Sequence, residues 1–257
     1  MDQIDRKMVI GFLKNGRVQQ RSIANELGIS PQVVNYRFSK LISDGVIKGF
    51  KLRVSAPYRG MQEGFAAFQG DKEYEGDGVD SKLRCLERIT LYGFAGKDRE
   101  DLEAKIGKAE KELGKSLMRY IPWQDKSLEL SSTDRTIISL LQQDPRMPFS
   151  AMAKKANIPY STLKRRLSKL EKNRVIGIIT EIDPSKAGVV LYSLFLEHPD
   201  RIGNILDEDL IFSISDRNGG VYVCCSETLS QAKRRIDQAR KIEKTAEVMI
   251  IYDYEFV

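Results

Sequence analysis

Two short segments of this 257-residue chain place polar and cationic side chains at helical spacing. The first presents Gln32, Asn35, Tyr36, Arg37 and Lys40. The second presents Ser161, Thr162, Lys164, Arg165, Arg166 and Lys169. Their chemistry is hydrogen bonding and positive charge, not covalent catalysis. Amides such as Gln32 and Asn35 match the adjacent donor and acceptor of adenine. A guanidinium matches guanine or a phosphate, and an ammonium matches a phosphate. The opposite faces are apolar. Val34, Phe38 and Leu41 recur at i, i+4 and i+7, as do Leu163, Leu167 and Leu170, so each helix buries one side and offers the other.

The elements that must hold these faces occur twice. Residues 5–48 align with 134–177 at a constant offset of 129, with eleven of 44 pairs identical. Ile4, Met8, Val9, Phe12 and Leu13 mark a first helix that Gly16 can end. Ile23, Ala24 and Leu27 mark a short second helix, with Gly28-Ile29 as the turn. Ser30-Pro31 then gives an N-cap followed by proline in the first helical position. Gly45 closes the third helix, and Val46 to Val54 reads as a strand or wing. In the second copy Ser131 or Ser132 caps the first helix and Asp144-Pro145 ends it. Asn157 replaces the turn glycine, which asparagine tolerates better than most residues. The third helix is expected from about Ser161.

Charge follows the repeat. Residues 1–53 and 131–182 each carry ten Lys/Arg against four Asp/Glu, a net +6 apiece. The intervening segment 54–130 is −2 and the segment 183–257 is −4. A polyanionic partner is therefore expected at the repeats and not between them.

Each repeat is followed by a mixed segment. In the second, strands are expected at Val189–Glu197, Leu210–Ser215, Gly220–Cys225 and Val248–Phe256, with helices at Asp200–Leu206 and Leu229–Lys244. That order is βαββαβ, a ferredoxin-like unit. In the first, strands are expected at Gly64–Gln69, Ile89–Ala95 and Leu117–Trp123, with a helix at Arg99–Leu113. The acidic, glycine-rich stretch Gly70–Ser81 implies that the first helix of that unit is lost or shortened.

The helix-turn-helix, the following strand and the βαββαβ unit together resemble the Lrp/AsnC (feast/famine) regulators of bacteria and archaea. The resemblance rests on Ile4-Asp5-Arg6-Lys7, on Ile23 through Pro31, and on Leu41-Ile42-Ser43-Asp44-Gly45-Val46-Ile47. The second copy keeps Thr133-Asp134-Arg135 and Leu170 through Gly177. It covers nearly the whole chain as two family units in tandem. It implies an α+β architecture of two winged helix-turn-helix domains, 1–54 and 130–182. Each is followed by a ferredoxin-like (RAM-like) domain, 60–125 and 187–257, the first of these degenerate. It also implies a sequence-specific transcriptional regulator of double-stranded DNA, acting as an intramolecular pseudo-dimer that can associate further. The expected setting is a prokaryotic cytoplasm, in association with the nucleoid. An amino-acid-like small-molecule effector would sit at Asn218, Gly219 and Gly220, although the turn Arg217 to Tyr222 lacks the family's aspartates.

Other chemistries fit poorly. No apolar run has membrane-spanning length, and the N-terminus lacks a signal-peptide core. Cys85, Cys224 and Cys225 are an odd number, which favours a reducing compartment. Cys224 and Cys225 are neighbours in a strand and point to opposite faces, so they cannot clamp a metal together. Asp71 to Asp77 imitates the start of a calcium loop, but Lys82 stands where a bidentate Glu is needed, so a solvated acidic loop is expected. An Lrp-fold enzyme of the siroheme decarboxylase type would want histidines near a tetrapyrrole, and the chain has only His198. A weakly specific architectural DNA-binding protein is the other alternative. No catalytic set, cofactor or metal site is expected.

Overall fold

The computed structural model describes residues 1–123 and 129–256. The first repeat supplies α1 (Gln3–Lys14), α2 (Gln20–Leu27), α3 (Pro31–Ser43) and β1 (Ile47–Val54). The segment after it holds β2 (Gln62–Gln69), β3 (Val79–Cys85), β4 (Ile89–Gly96), α4 (Arg99–Leu113) and β5 (Met118–Tyr120). The second repeat supplies α5 (Ser132–Gln143), α6 (Phe149–Lys155), α7 (Tyr160–Lys172) and β6 (Ile176–Ile182). The last segment runs α8 (Pro184–Ala187), β7 (Val190–Leu196), β8 (Leu210–Asp216), β9 (Gly219–Ser226), α9 (Leu229–Ile242) and β10 (Glu247–Phe256). The expected boundary at 125 lies outside the described residues.

The chain divides into two units. One comprises Met1–Ile10, Gly60–Gln124 and Asp183–Val257; the other comprises Gly11–Arg59 and Asp125–Ile182. The second unit holds both helix-turn-helix segments, apart from the start of α1. The first holds both companion segments.

In the helix-turn-helix unit, local chemistry sets the same corner twice. Gly28 adopts φ +66° and Asn157 adopts φ +51°, the left-handed turn anticipated for both. The amide of Ile29 donates to Ala24 O at 3.0 Å, and the amide of Ile158 donates to Ala153 O at 3.1 Å. The third helices also end alike. Val46 donates to Leu41 O and Val175 to Leu170 O, both at 2.9 Å, after a positive φ at Gly45 and Arg174. Four of the eleven identical pairs, Ala24/Ala153, Ile29/Ile158, Leu41/Leu170 and Val46/Val175, make these corner bonds. In the second copy Leu163, Leu167 and Leu170 of α7 join Ile137, Leu141 and Met152 in one core. Phe12, Ile23, Val34 and Leu41 are buried in the first.

The strand expected after each third helix forms in both copies, and β1 pairs antiparallel with β6. The register is that of a pseudo-twofold: Leu52 opposes Ile178, and Gly49 opposes Glu181, the same pair exchanged between copies. Leu52, Val54 and Tyr58 of the first copy pack against the core of the second. In return, Thr180 Oγ1 donates to Phe12 O at 2.6 Å. Gly16 lies so close to β6 that a Cβ there would stand 2.8 Å from Ile178 O.

The other unit is built on one eight-stranded sheet, β5-β2-β4-β3-β10-β7-β9-β8. Each half has the ferredoxin strand order. β10 joins them: Glu247 to Ile251 pair with β7, and Ile251 to Phe256 pair with β3. The first helix is missing from both halves. In the second, the expected helix 200–206 is only a 3-10 turn, Pro199–Arg201, followed by further turns. Gly203 takes φ +54° and breaks the helix, while Ile202 and Leu206 still reach the core. In the first, Tyr74 occupies the core against Tyr92 and Phe94. The acidic loop is thus tied down rather than fully solvated: Glu73 bonds Arg84 and Asp71 bonds Arg88.

β3 was not legible as a strand because its buried positions include Lys82. The ammonium is compensated by Glu75, by Glu73 at 3.5 Å and by Glu255 at 3.3 Å. Arg84 adds Asp253 at 2.9 Å, so ion pairs line the β3–β10 seam.

Candidate nucleic-acid interface

Most of the expected outward positions of α3 and α7 are exposed, and Arg37, Thr162 and Arg166 are half-buried. Ser30 caps α3, its hydroxyl accepting from Val33 N at 3.3 Å. Pro159 precedes α7 and provides no side-chain cap. Gln32, Asn35, Tyr36 and Lys40 are exposed, Tyr36 by 70 %. Ser161, Lys164, Arg165 and Lys169 are exposed in the second copy, and Thr162 is half-buried. The buried stripe of each helix fixes which side is offered.

Arg37 and Arg166 differ from their neighbours in being half-buried. Arg166 Nη1 sits 3.2 Å from Asp134 Oδ2, and the Asp134 side chain is only 2 % exposed. Asp134 also completes a capping box with Ser131 at the start of α5. One carboxylate therefore starts α5 and holds α7 against it. Arg166 ties α7 to α5, a contact that its outward helical spacing does not reveal.

The two copies also exchange arginines. Arg17 Nη1 donates to Pro145 O at 2.6 Å and Nη2 to Met147 O at 2.9 Å. Its guanidinium lies over Phe149, 4.9 Å from the ring centroid. Arg146 lies over Phe12, Phe38 and Phe50 at 5.1, 5.0 and 4.5 Å. Burial pushes both guanidinium pKa values down. The aromatic faces and carbonyls are what compensate the two desolvated charges. Sequence alignment marks the pair as identical but gives no sign that each serves the other copy.

The turn expected to take an effector is engaged by the chain itself. The Tyr120 hydroxyl donates to Gly219 O at 2.7 Å and accepts from Asp216 N at 2.9 Å. Asp216 Oδ2 accepts from Trp123 N at 2.7 Å and Oδ1 accepts from Asn218 N at 2.8 Å. A Cβ on Gly219 would lie 3.2 Å from the Tyr120 ring. Gly219 and Gly220 are buried and Asn218 is exposed. Asp216, one residue before the expected turn Arg217 to Tyr222, organises it. His198 donates only its backbone N–H here, to Glu243 Oε2 at 3.1 Å. Cys85, Cys224 and Cys225 are all buried. Among the described residues no helix is long and apolar enough to cross a membrane.

Two helix-turn-helix segments sharing a two-stranded sheet, each offering a polar third-helix face, define a tandem helix-turn-helix protein. Residues 1–48 match the winged helix-turn-helix DNA-binding model, and residues 130–171 match the AsnC-type helix-turn-helix domain. The AsnC-type match therefore falls on the second repeat alone, and the first repeat matches as a winged helix-turn-helix. It is similar to an uncharacterised HTH-type transcriptional regulator of Pyrococcus horikoshii, 34% identical over 86 residues, or 32% of this chain and 54% of that protein. The chain thus spans about half the length of that relative. It is also similar to the HTH-type transcriptional regulator LrpA of Mycobacterium tuberculosis, 26% identical over 111 residues, or 42% of this chain and 74% of that one. Among solved structures, the siroheme decarboxylase NirDL aligns over 97% of this chain and 91% of its own, with a TM-score of 0.46 and 13% identity.

Proposed function

We propose that this chain is a sequence-specific transcriptional regulator that binds double-stranded DNA as an intramolecular pseudo-dimer. The observation that carries the reading is the equivalent exposure of α3 and α7 on two repeats joined by β1 and β6. Gln32, Asn35 and Tyr36 are the base-reading candidates of the first copy, with Lys40 on phosphate. Arg37 stands at the same position as Arg166. In the second copy Lys164, Arg165 and Lys169 face the DNA, with Ser161 and Thr162 at the helix start. Concentration of net charge on the repeats supports a polyanionic partner.

The four-part division into 1–54, 60–125, 130–182 and 187–257 belongs to the same reading, as does a cytoplasmic, nucleoid-associated setting. An amino-acid-like effector at Asn218, Gly219 and Gly220 would compete with Tyr120 for the Gly219 carbonyl. The role is proposed as non-enzymatic.

Fluorescence-anisotropy titration of the full chain against a mixed-sequence duplex tests the reading. Binding that weakens steeply as salt rises is expected. No binding at low salt, or a siroheme absorbance change on turnover in a parallel incubation, would overturn it.

A further inference from the structure

The two readers are chemically unequal. On α3 the outward positions are Gln32, Asn35, Tyr36, Ser39, Lys40 and Ser43, all exposed. The equivalent positions of α7 are Ser161, Lys164, Arg165, Ser168, Lys169 and Lys172, also exposed. The first set holds one cation and the second holds four. The preceding helices widen the gap. α6 ends in exposed Lys154 and Lys155, whereas α2 carries Arg21 against Glu26. Among the described residues, no acidic partner is found for Lys154, Lys155, Lys164, Arg165, Lys169 or Lys172. Their charge is therefore available to an external anion. The only acidic residue in α6 or α7 is Glu171.

A lysine is a mobile point charge that suits a phosphate oxygen irrespective of the base beside it. An uncharged side-chain amide gains no counterion-release affinity but can pair bidentately with the adenine edge. We infer that the readers divide the work: α6 and α7 anchor the DNA backbone with little sequence preference, and α3 selects the sequence through Gln32 and Asn35. This rests on the DNA-binding reading above and deepens it. Because β1–β6 pairing ties the copies, an anchored second copy holds α3 near the same duplex. Weak base contacts then act at high effective concentration.

The test uses the full chain and two variants at exposed positions. In one, Lys164→Asn, Arg165→Tyr and Lys172→Ser place first-copy residues on α7. In the other, Gln32→Ala and Asn35→Ala blunt α3. Affinities for the selected site and for a scrambled duplex are measured over a range of salt. The α7 variant is expected to weaken on both duplexes alike, with a salt slope shallower by about 2–3 units. The α3 variant is expected to keep its slope while its preference for the selected site falls by about tenfold. An α7 variant with altered base preference and unchanged slope would overturn the division, as would an α3 variant with altered slope and unchanged preference. If the unaltered chain binds neither duplex at low salt, the DNA-binding reading itself fails and the division falls with it. Unchanged melting temperatures show that each variant is folded.

Discussion

Arg17 and Arg146 stand at equivalent positions of the two repeats, and each is half-buried against the other repeat. Arg17 donates to Pro145 O and Met147 O, while Arg146 lies over the rings of Phe12, Phe38 and Phe50. The exchange is reciprocal but chemically unequal, with carbonyls on one side and a three-ring box on the other. Together with β1–β6 pairing it makes one unit of two helix-turn-helix segments. Replacing Arg146 with Ala removes a desolvated cation–π contact and leaves a void among three rings. A loss of about 2 kcal/mol is expected, with Arg146→Lys losing less. Chemical denaturation followed by circular dichroism measures it. A change within about 0.5 kcal/mol would mean that the box contributes nothing.

Asp134 carries a second expectation. It caps α5 and neutralises Arg166 while almost fully buried. Arg166→Met strands a buried carboxylate, so a loss of roughly 3 kcal/mol is expected. Asp134→Asn keeps much of the cap and should cost less. If Arg166→Met instead left stability unchanged and abolished DNA binding, Arg166 would be a DNA contact and not a positioning residue.

The helix-turn-helix corners allow a test of backbone strain. Gly28 and Asn157 both take left-handed φ, and a Cβ on Gly28 would meet nothing within 4 Å. Gly28→Ala therefore costs conformational strain alone, about 1 kcal/mol. Asn157→Gly should be nearly neutral. Thermal melting that ranked Asn157→Gly as the worse of the two would contradict the shared corner.

Asp216 gives a pH expectation. Burial raises its carboxyl pKa, but hydrogen bonds from Trp123 N and Asn218 N outweigh burial and hold it below the ordinary carboxylate value. A depressed folded-state pKa contributes stability above the unfolded value. That stability is lost as pH falls through the folded value. The contribution should therefore be present at neutral pH and fade below about pH 4. Asp216→Asn should lower the melting temperature at pH 7 and matter less in strong acid. An equal penalty at both pH values would remove the carboxylate charge from the account.

How much was readable depends on where the information is local. The two corners, the capping serine at Ser30 and the apolar stripe of α7 are short-range patterns, and they stand where periodicity placed them. What sequence could not show arises between distant segments. β1 looks like half a wing, and only its partner β6 reveals an exchanged strand. Lys82 argues against a buried strand until Glu75, Glu73 and Glu255 close around it. Arg166 has the spacing of a reader, yet Asp134 lies thirty-two residues away in sequence and draws it inward. Asp200–Leu206 has helical apolar spacing, but Gly203 takes a left-handed φ and the segment runs as turns.

Selection of bound duplexes from a random pool by the unaltered full chain tests the central claim most directly. The account predicts an asymmetric site, with two unlike half-sites separated by about one helical turn (~10 bp) or a multiple of it. Base preference should be sharp beneath α3 and shallow beneath α7. A perfect palindrome with equally strong half-sites would contradict it.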